Sequence, residues 1–288
     1  MSKVSIRFFN DREVRAVWDD ETAKWWFGTV DVVAALSGSA NASNYWYVLK
    51  NRLKKAGDEL LTKCKGFKMT APDGKRRVTD CFDSDGIVEL AKKFPGTKAA
   101  AFLDWFLYSE NTLDGKSKQK AYGLFENGLL GSIETGTVKG LQQIHAYLFG
   151  GLYDFAGQIR TVNIAKGGFA FAPARFLGET LKRIEAMPES DFGAIVEKYV
   201  EMNVAHPFRE GNGRATRIWL DMMLKKNLRL CVDWSRIDKR TYLEAMRSSV
   251  ADASTLRELL HPALTDKIDD RETFMKGIDY SYYYEEGE

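Results

Sequence analysis

The sequence predicts two domains of different class. An α+β domain with an antiparallel ribbon covers residues 1–110, and an all-α domain carrying one small β-hairpin covers 121–288. Three observations carry this. Residues 3–30 alternate apolar and polar side chains around turn formers, which is the two-residue period of strands. Residues 109–120, Ser-Glu-Asn-Thr-Leu-Asp-Gly-Lys-Ser-Lys-Gln-Lys, are polar with little to bury, and 111–120 are read as the linker. From about 121 onward apolar residues recur at helical spacing, interrupted once around Gly167-Gly168.

In chain order, Val4, Ile6 and Phe8, then Val14, Ala16 and Trp18, predict two strands about a turn at Asn10-Asp11-Arg12. Trp25-Trp26-Phe27 predicts a third. Asp31 is placed to cap a short helix through Val32, Val33 and Leu36, ended by Gly38. A second helix should present Tyr45, Val48, Leu49 and Leu53 on one face. Thr70-Ala-Pro-Asp-Gly-Lys75 predicts a hairpin, because Asp-Gly supplies positive φ. Residues 84–108 read as helices through Ile87, Leu90 and Ala91, then Ala101, Leu103, Phe106 and Leu107. In the second domain, Val162, Ile164, Phe169 and Phe171 alternate about Lys166-Gly167-Gly168 and predict the small hairpin.

Composition excludes several classes. Hydrophobic residues are 44% and charged residues 28%, the range of globular proteins, and the net charge of +2 names no partner for the chain as a whole. Cys64, Cys81 and Cys231 lie far apart at no metal-ligand spacing, so reduced thiols in a cytoplasmic protein are expected. The opening Met-Ser-Lys-Val-Ser-Ile-Arg has no apolar run of signal-peptide length, and no segment approaches a membrane span.

The chemistry concentrates in His206-Pro-Phe-Arg-Glu-Gly-Asn-Gly-Arg-Ala-Thr-Arg217. An amphipathic helix, Asp191–Ala205, runs into it and is broken by Pro207. A second helix, Arg214–Lys225, follows, with Ile218, Trp219, Met222 and Met223 facing a core. Gly211 and Gly213 flank Asn212, which suits tight backbone and close ligand approach rather than helix propensity. Amides at a helix N-terminus favour an anion. Arg214 and Arg217, three apart, offer guanidinium forks suited to phosphate. Glu210 supplies hard oxygens of the kind Mg²⁺ takes alongside phosphates. His206 sets an imidazole at the loop mouth. Each part alone has an ordinary structural reading; together they describe a triphosphate site with a proton acceptor beside it. His145 and His261, without partner clusters, are read as core or surface residues.

His206–Arg217 matches the Fic family motif, His-x-Phe-x-(Asp/Glu)-Gly-Asn-Gly-Arg-x-x-Arg, at every specified position. The resemblance extends through Leu141–Tyr153 and Ala156–Ile164 and takes in most of 120–288. It implies an all-α Fic domain with a β-hairpin flap, and a protein adenylyltransferase using ATP and Mg²⁺. On it, His206 takes the proton from a target Ser, Thr or Tyr hydroxyl attacking the α-phosphorus. Phe208 packs in the core, and Glu210 holds Mg²⁺. Asn212 and the Gly211 and Gly213 amides bind phosphate oxygens. Arg214 stabilises the leaving pyrophosphate, and Arg217 reaches the γ-phosphate. The flap, Lys166, Gly167, Gly168 and Phe169, holds the target by main-chain pairing. Kinase members carry Lys where this chain has Gly213, so adenylyl transfer is implied over phosphoryl transfer, with UMP transfer as an alternative.

Gly277–Glu288 resembles the C-terminal inhibitory motif of some Fic proteins, (Ser/Thr)-x-x-x-Glu-(Gly/Asn), with Ser281 and Glu285 at the key positions and Glu286 departing from the last. The resemblance implies that Glu285 pairs with Arg217 and displaces the γ-phosphate. Tyr282, Tyr283 and Tyr284 are then nearby hydroxyls for self-modification. In the first domain, ten basic residues between Lys50 and Arg77 face Asp58, Glu59 and Asp73, a local excess of seven charges suited to phosphates. Trp26-Phe27, Asp31-Val32, Leu36, Asn44-Tyr-Trp and Leu53-Lys-Lys resemble the N-terminal domain of BRO-type phage antirepressors, which implies DNA binding; the alternative is target recruitment. The expected partners are a target protein with a modifiable hydroxyl, DNA and a homo-oligomeric copy, with no membrane. The rival function is a DNA-binding regulator with a Fic scaffold.

Overall fold

Residues 4–71, 74–94 and 96–286 are described by the structure, a computed structural model. The chain divides into two units, Met1–Thr112 and Leu113–Glu288.

The first unit contains β1 (Val4–Phe9), β2 (Arg12–Asp19), β3 (Lys24–Gly28), α1 (Thr29–Ser37), α2 (Ala42–Lys55), β4 (Lys65–Thr70), β5 (Arg76–Phe82), α3 (Ser84–Ala91) and α4 (Thr97–Tyr108). The strands form one antiparallel sheet in the order β1-β2-β3-β5-β4. Asn10 and Asp11, at φ 46° and 61°, close the first hairpin; these side chains tolerate left-handed backbone better than most. One sheet face, with Phe9, Val14, Phe27 and Phe82, packs in one core with Val32, Leu36, Leu90 and Phe102 of the helices. The other face carries a smaller cluster of Val17, Trp26, Met69 and Cys81. In the β4–β5 hairpin, Gly74 sits at φ 77°; Pro72 and Asp73 lie outside the described residues.

Three expectations are corrected in this unit. Asp31 does not cap α1, whose N-cap is Gly28 with no side-chain bond. Its carboxylate instead accepts from Arg15 Nε at 2.7 Å and NH2 at 2.8 Å, because a charge-assisted fork on the adjacent strand outweighs one backbone amide. The buried face of α2 is Ala42, Trp46, Leu49 and Leu53, while Tyr45 and Val48 are exposed. The helix rolls so that its largest apolar ring enters the core and still donates to Asp80 at 2.8 Å. In α4 the same preference buries Phe102 and Phe106 and leaves Leu107 outside.

The second unit contains α5 (Leu113–Glu126), α6 (Val138–Phe149), β6 (Ala165–Lys166), β7 (Phe169–Ala170), α7 (Ala174–Glu185), α8 (Phe192–Ala205), α9 (Asn212–Leu228), β8 (Cys231–Val232), α10 (Lys239–Ser248), α11 (Ser254–Leu260), β9 (Leu264–Thr265) and α12 (Arg271–Tyr283). From Leu113 on, the stretch expected as a linker is therefore helix. Its polar side chains have specific work: Ser117 bonds the Tyr282 hydroxyl at 2.6 Å, and Lys118 pairs with buried Asp279 at 2.6 Å. Apolar periodicity cannot register such contacts. The short β8–β9 pair was also not foreseen. At the centre, α9 packs against α6, α8 and α12, burying Trp219, Leu220 and Met223. Among the described residues no helix is long and apolar enough to cross a membrane.

Candidate active site

Capped by Asp191, whose carboxylate accepts from the Ala194 amide at 3.0 Å, α8 ends at His206. His206 adopts left-handed backbone at φ 48° while its own amide still bonds Met202 O at 3.0 Å. Nδ1 lies 3.2 Å from the Asn203 carbonyl oxygen. A carbonyl can only accept, so Nδ1 carries the proton and Nε2 keeps a lone pair. The ring stacks on Phe171 with centroids 3.7 Å apart. Burial lowers its pKa to about 4, which keeps it neutral at pH 7.

The turn after His206 is held from three sides. Phe208 is fully buried, and its ring stacks on His145 at 3.8 Å. Asn212 clamps the same residue, accepting from Phe208 N at 2.9 Å and donating to Phe208 O at 2.8 Å. One N–H of its side-chain amide is thus engaged with the loop, and the other is not used in these two bonds. His145 Nδ1 accepts from Gly157 N at 2.9 Å, so Nε2 donates to Glu210 O at 2.8 Å. Buried Arg160 donates to the carbonyls of His206 (2.7 Å), Ala205 (3.0 Å) and Ala172 (2.6 Å). Neither His145 nor Arg160 was singled out as a site residue. Both are single residues remote in sequence, and the available signal was their place inside the family-like segments.

Helix α9 starts two residues earlier than expected, with Gly211 as N-cap at φ 80° and no side-chain cap. Ala215 N bonds Gly211 O, so the Asn212, Gly213 and Arg214 amides precede the first intrahelical donor. Arg214, nine-tenths buried or more, pairs with Asp114 and donates from NH2 to Glu210 at 3.0 Å, and its Nε has no partner among the described residues. An orphan guanidinium donor beside open amides suits an anion. Asp114, a hundred positions away on α5, was missed for want of any local pattern. Glu210 is half-exposed and also accepts from Gly211 N at 2.9 Å. Among the described residues no cluster of three acidic, His or Cys side chains could hold a metal by itself. One reachable carboxylate plus nucleotide oxygens and water is nevertheless how Mg²⁺ is commonly bound.

Arg217 does not join Arg214 on a shared surface. It turns to α12, donating from Nε to Ser281 Oγ at 2.8 Å and from NH2 to Ser281 O at 2.7 Å, and pairing with Glu285. Tyr242 and Tyr284 rings flank its guanidinium at 5.6 and 5.5 Å. Burial opposes ionisation of Glu285, yet Arg217 holds its pKa below the usual carboxylate value. A Cβ built on Gly213 would stand 2.2 Å from Glu285 Oε1, so this carboxylate lies directly over the head of α9.

The β6–β7 hairpin pairs Ala165 with Ala170 and Lys166 with Phe169 about Gly167 and Gly168, at φ 56° and 82°. All four strand residues are exposed, and a two-stranded ribbon leaves main-chain groups free at both edges. The tyrosines expected as self-modification sites are mostly inaccessible. Tyr282 is committed to Ser117, and the fully buried Tyr284 hydroxyl donates to Trp234 O and Ile237 O, both at 2.9 Å.

A profile described as the Fic/DOC family matches residues 136–224. The chain is 30% identical over 140 residues to the protein adenylyltransferase VbhT of Bartonella schoenbuchensis, covering 44% of this chain and 29% of VbhT. It therefore spans less than a third of that relative. It is 31% identical over 153 residues to the "Probable protein adenylyltransferase Fic" of Salmonella typhimurium, covering 47% of this chain and 75% of that protein. Among solved structures, BepC of Bartonella tribocorum with bound AMPPNP superposes with a TM-score of 0.45 at 19% identity, over 53% of this chain and 84% of that one. With three-quarters of the Salmonella protein matched at that identity, and with the helix–loop–helix of α8 and α9 inside the matched segment, the chain belongs to the Fic/DOC family.

Proposed function

We propose that this protein is an adenylyltransferase that moves AMP from ATP onto a Ser, Thr or Tyr hydroxyl of a target protein, and that α12 holds it inactive. The observation that carries the reading is a neutral imidazole with Nε2 unprotonated, beside the open amides and orphan Arg214 Nε at the head of α9. The target oxygen bonds to the α-phosphorus as the bond to the pyrophosphate oxygen breaks. His206 Nε2 takes the hydroxyl proton, a general-base contribution of about 10²–10⁴ in rate. Asn212, Gly213 and Arg214 amides and the Arg214 fork receive the phosphates, and Arg217, once free, the terminal one. Glu210 would hold Mg²⁺, which neutralises charge on the leaving pyrophosphate. The ribbon edge of β6–β7 aligns the target through main-chain bonds.

The inhibited state follows from charge competition. Glu285 and Ser281 occupy the Arg217 donors, and Glu285 covers Gly213, where a terminal phosphate would lie. Incubation with labelled ATP and Mg²⁺ tests both parts. Wild type should label weakly, Glu285→Gly at least about tenfold more strongly, and the His206→Ala, Glu285→Gly double variant not at all. Equal labelling with and without His206 would remove it from its role; unchanged labelling in Glu285→Gly would remove the brake.

For the N-terminal unit, nucleic-acid binding is the second reading, with target recruitment as its competitor. It is favoured by Lys65, Lys68, Lys75, Arg76 and Arg77, all exposed on the β4–β5 hairpin. Trp26 and Trp46 are buried, so any contact there is with phosphates rather than by base stacking on those rings.

A further inference from the structure

Beside the Arg217–Ser281 contact lies a cavity of about 280 Å³, which takes no part in the chemistry above. Its apolar wall includes Ile218 and Met222 of α9 and Phe274 and Ile278 of α12, with Trp234 and Val232 beside them. Arg217 and Ser281 themselves border it, so the latch and the cavity share a partition. The space exists because α12 is seated; moving α12 would remove one wall.

The mouth is basic. Lys226, Arg229 and Lys267 are exposed at its edge, Arg229 within electrostatic reach of Asp269 and Lys267 of Asp270. Lys225, also at the edge, pairs with Asp269. The acids that line it are already committed. Asp270 caps α12 through Thr273 N at 2.8 Å, and Asp221 accepts from Val232 N at 2.8 Å and Trp234 Nε1 at 2.7 Å. An apolar chamber behind a rim where Lys and Arg outnumber the acids selects a ligand with an apolar body and one anionic head.

We infer that this cavity is a regulatory site for a monoanionic amphiphile, such as a medium-chain carboxylate, whose binding holds α12 on α9 and deepens inhibition. A ligand touching both walls favours the seated state over any state lacking one wall, and linkage requires it to oppose whatever frees Arg217. The regulatory half rests on the proposed role of Glu285; the site itself does not.

The test uses the full chain, with anilinonaphthalene sulfonate as fluorescent probe and decanoate as competitor. Saturable probe fluorescence, displaced by decanoate and not by neutral decanol, is expected. Lys226→Glu with Arg229→Glu, both at exposed positions, should weaken decanoate about tenfold while the circular dichroism spectrum is unchanged. Decanoate should also lower the affinity for a fluorescent ATP analogue in wild type but not in Glu285→Gly. Non-saturating probe signal, equal displacement by decanol, or undiminished binding in the charge variant would overturn the site. Decanoate binding that leaves nucleotide affinity unchanged would overturn the regulation. If no variant binds nucleotide, the adenylyltransferase reading and the regulation fall together, while displacement by decanoate still decides the cavity.

Discussion

At the scale of single residues, the site depends on buried polar groups whose partners, apart from that of Arg214 Nε, are specified. His145 is the sharpest case, since it holds Gly157 and Glu210 with its two nitrogens and supports Phe208 with its face. His145→Ala leaves a buried donor and acceptor unpaired and opens a gap, at a cost of about 2–4 kcal/mol that urea denaturation would read. Asn212→Ala frees both main-chain groups of Phe208 and should cost about 1–3 kcal/mol. Protonation offers a separate check. Burial lowers both His145 and His206 to about 4 from the ordinary 6.5. In that interval the unfolded chain takes up protons that the folded chain refuses. Stability is therefore complete above pH 6.5 and declines as pH falls toward 4. Denaturation midpoints measured across the interval should drop, and the drop should be shallower in a chain carrying His145→Gln; a flat profile would contradict neutral buried imidazoles.

At the scale of elements, the proposed roles divide target handling, at the hairpin, from nucleotide handling, at the C-terminal helix. Gly167 and Gly168 both need left-handed backbone, and Gly168→Val strains the turn without touching α9. Target labelling by the Glu285→Gly enzyme should fall when this change is added, while affinity for the ATP analogue holds; equal loss of both would show that the turn serves the nucleotide. Much of this arrangement was legible in the residues. Asp191, Pro207 and the two glycines bracket α8, the loop and the start of α9, because caps and breakers act locally. What escaped was non-local. Asp114 meets Arg214 across a hundred positions, and Ser117 and Lys118 make α5 a helix through partners on α12. In α2 the apolar residues fit either of two faces, and only the depth of the core and the Trp46–Asp80 bond choose between them. The two-residue β8–β9 pair is too short to leave a period.

For the whole molecule, the division at 112/113 predicts that each unit keeps its own core. Residues 1–112 expressed alone should unfold in a single cooperative step in urea; a featureless transition would mean that this core is not self-sufficient. The same fragment offers the cleanest test of nucleic-acid binding. A gel shift that weakens steeply as salt rises is expected from the exposed Lys and Arg of β4–β5, and no shift at low salt would leave those residues as a solvated surface.

Position 213 carries a consequence for how such a protein can change over generations. Because a side chain there meets the carboxylate of Glu285 and, on the proposed reading, would equally crowd a phosphate lodged in its stead, a variant of this glycine is expected to disturb restraint and reaction together. On the proposed inhibition, heritable release is expected in the tail, where altering Ser281 or Glu285 leaves the proposed transfer machinery whole.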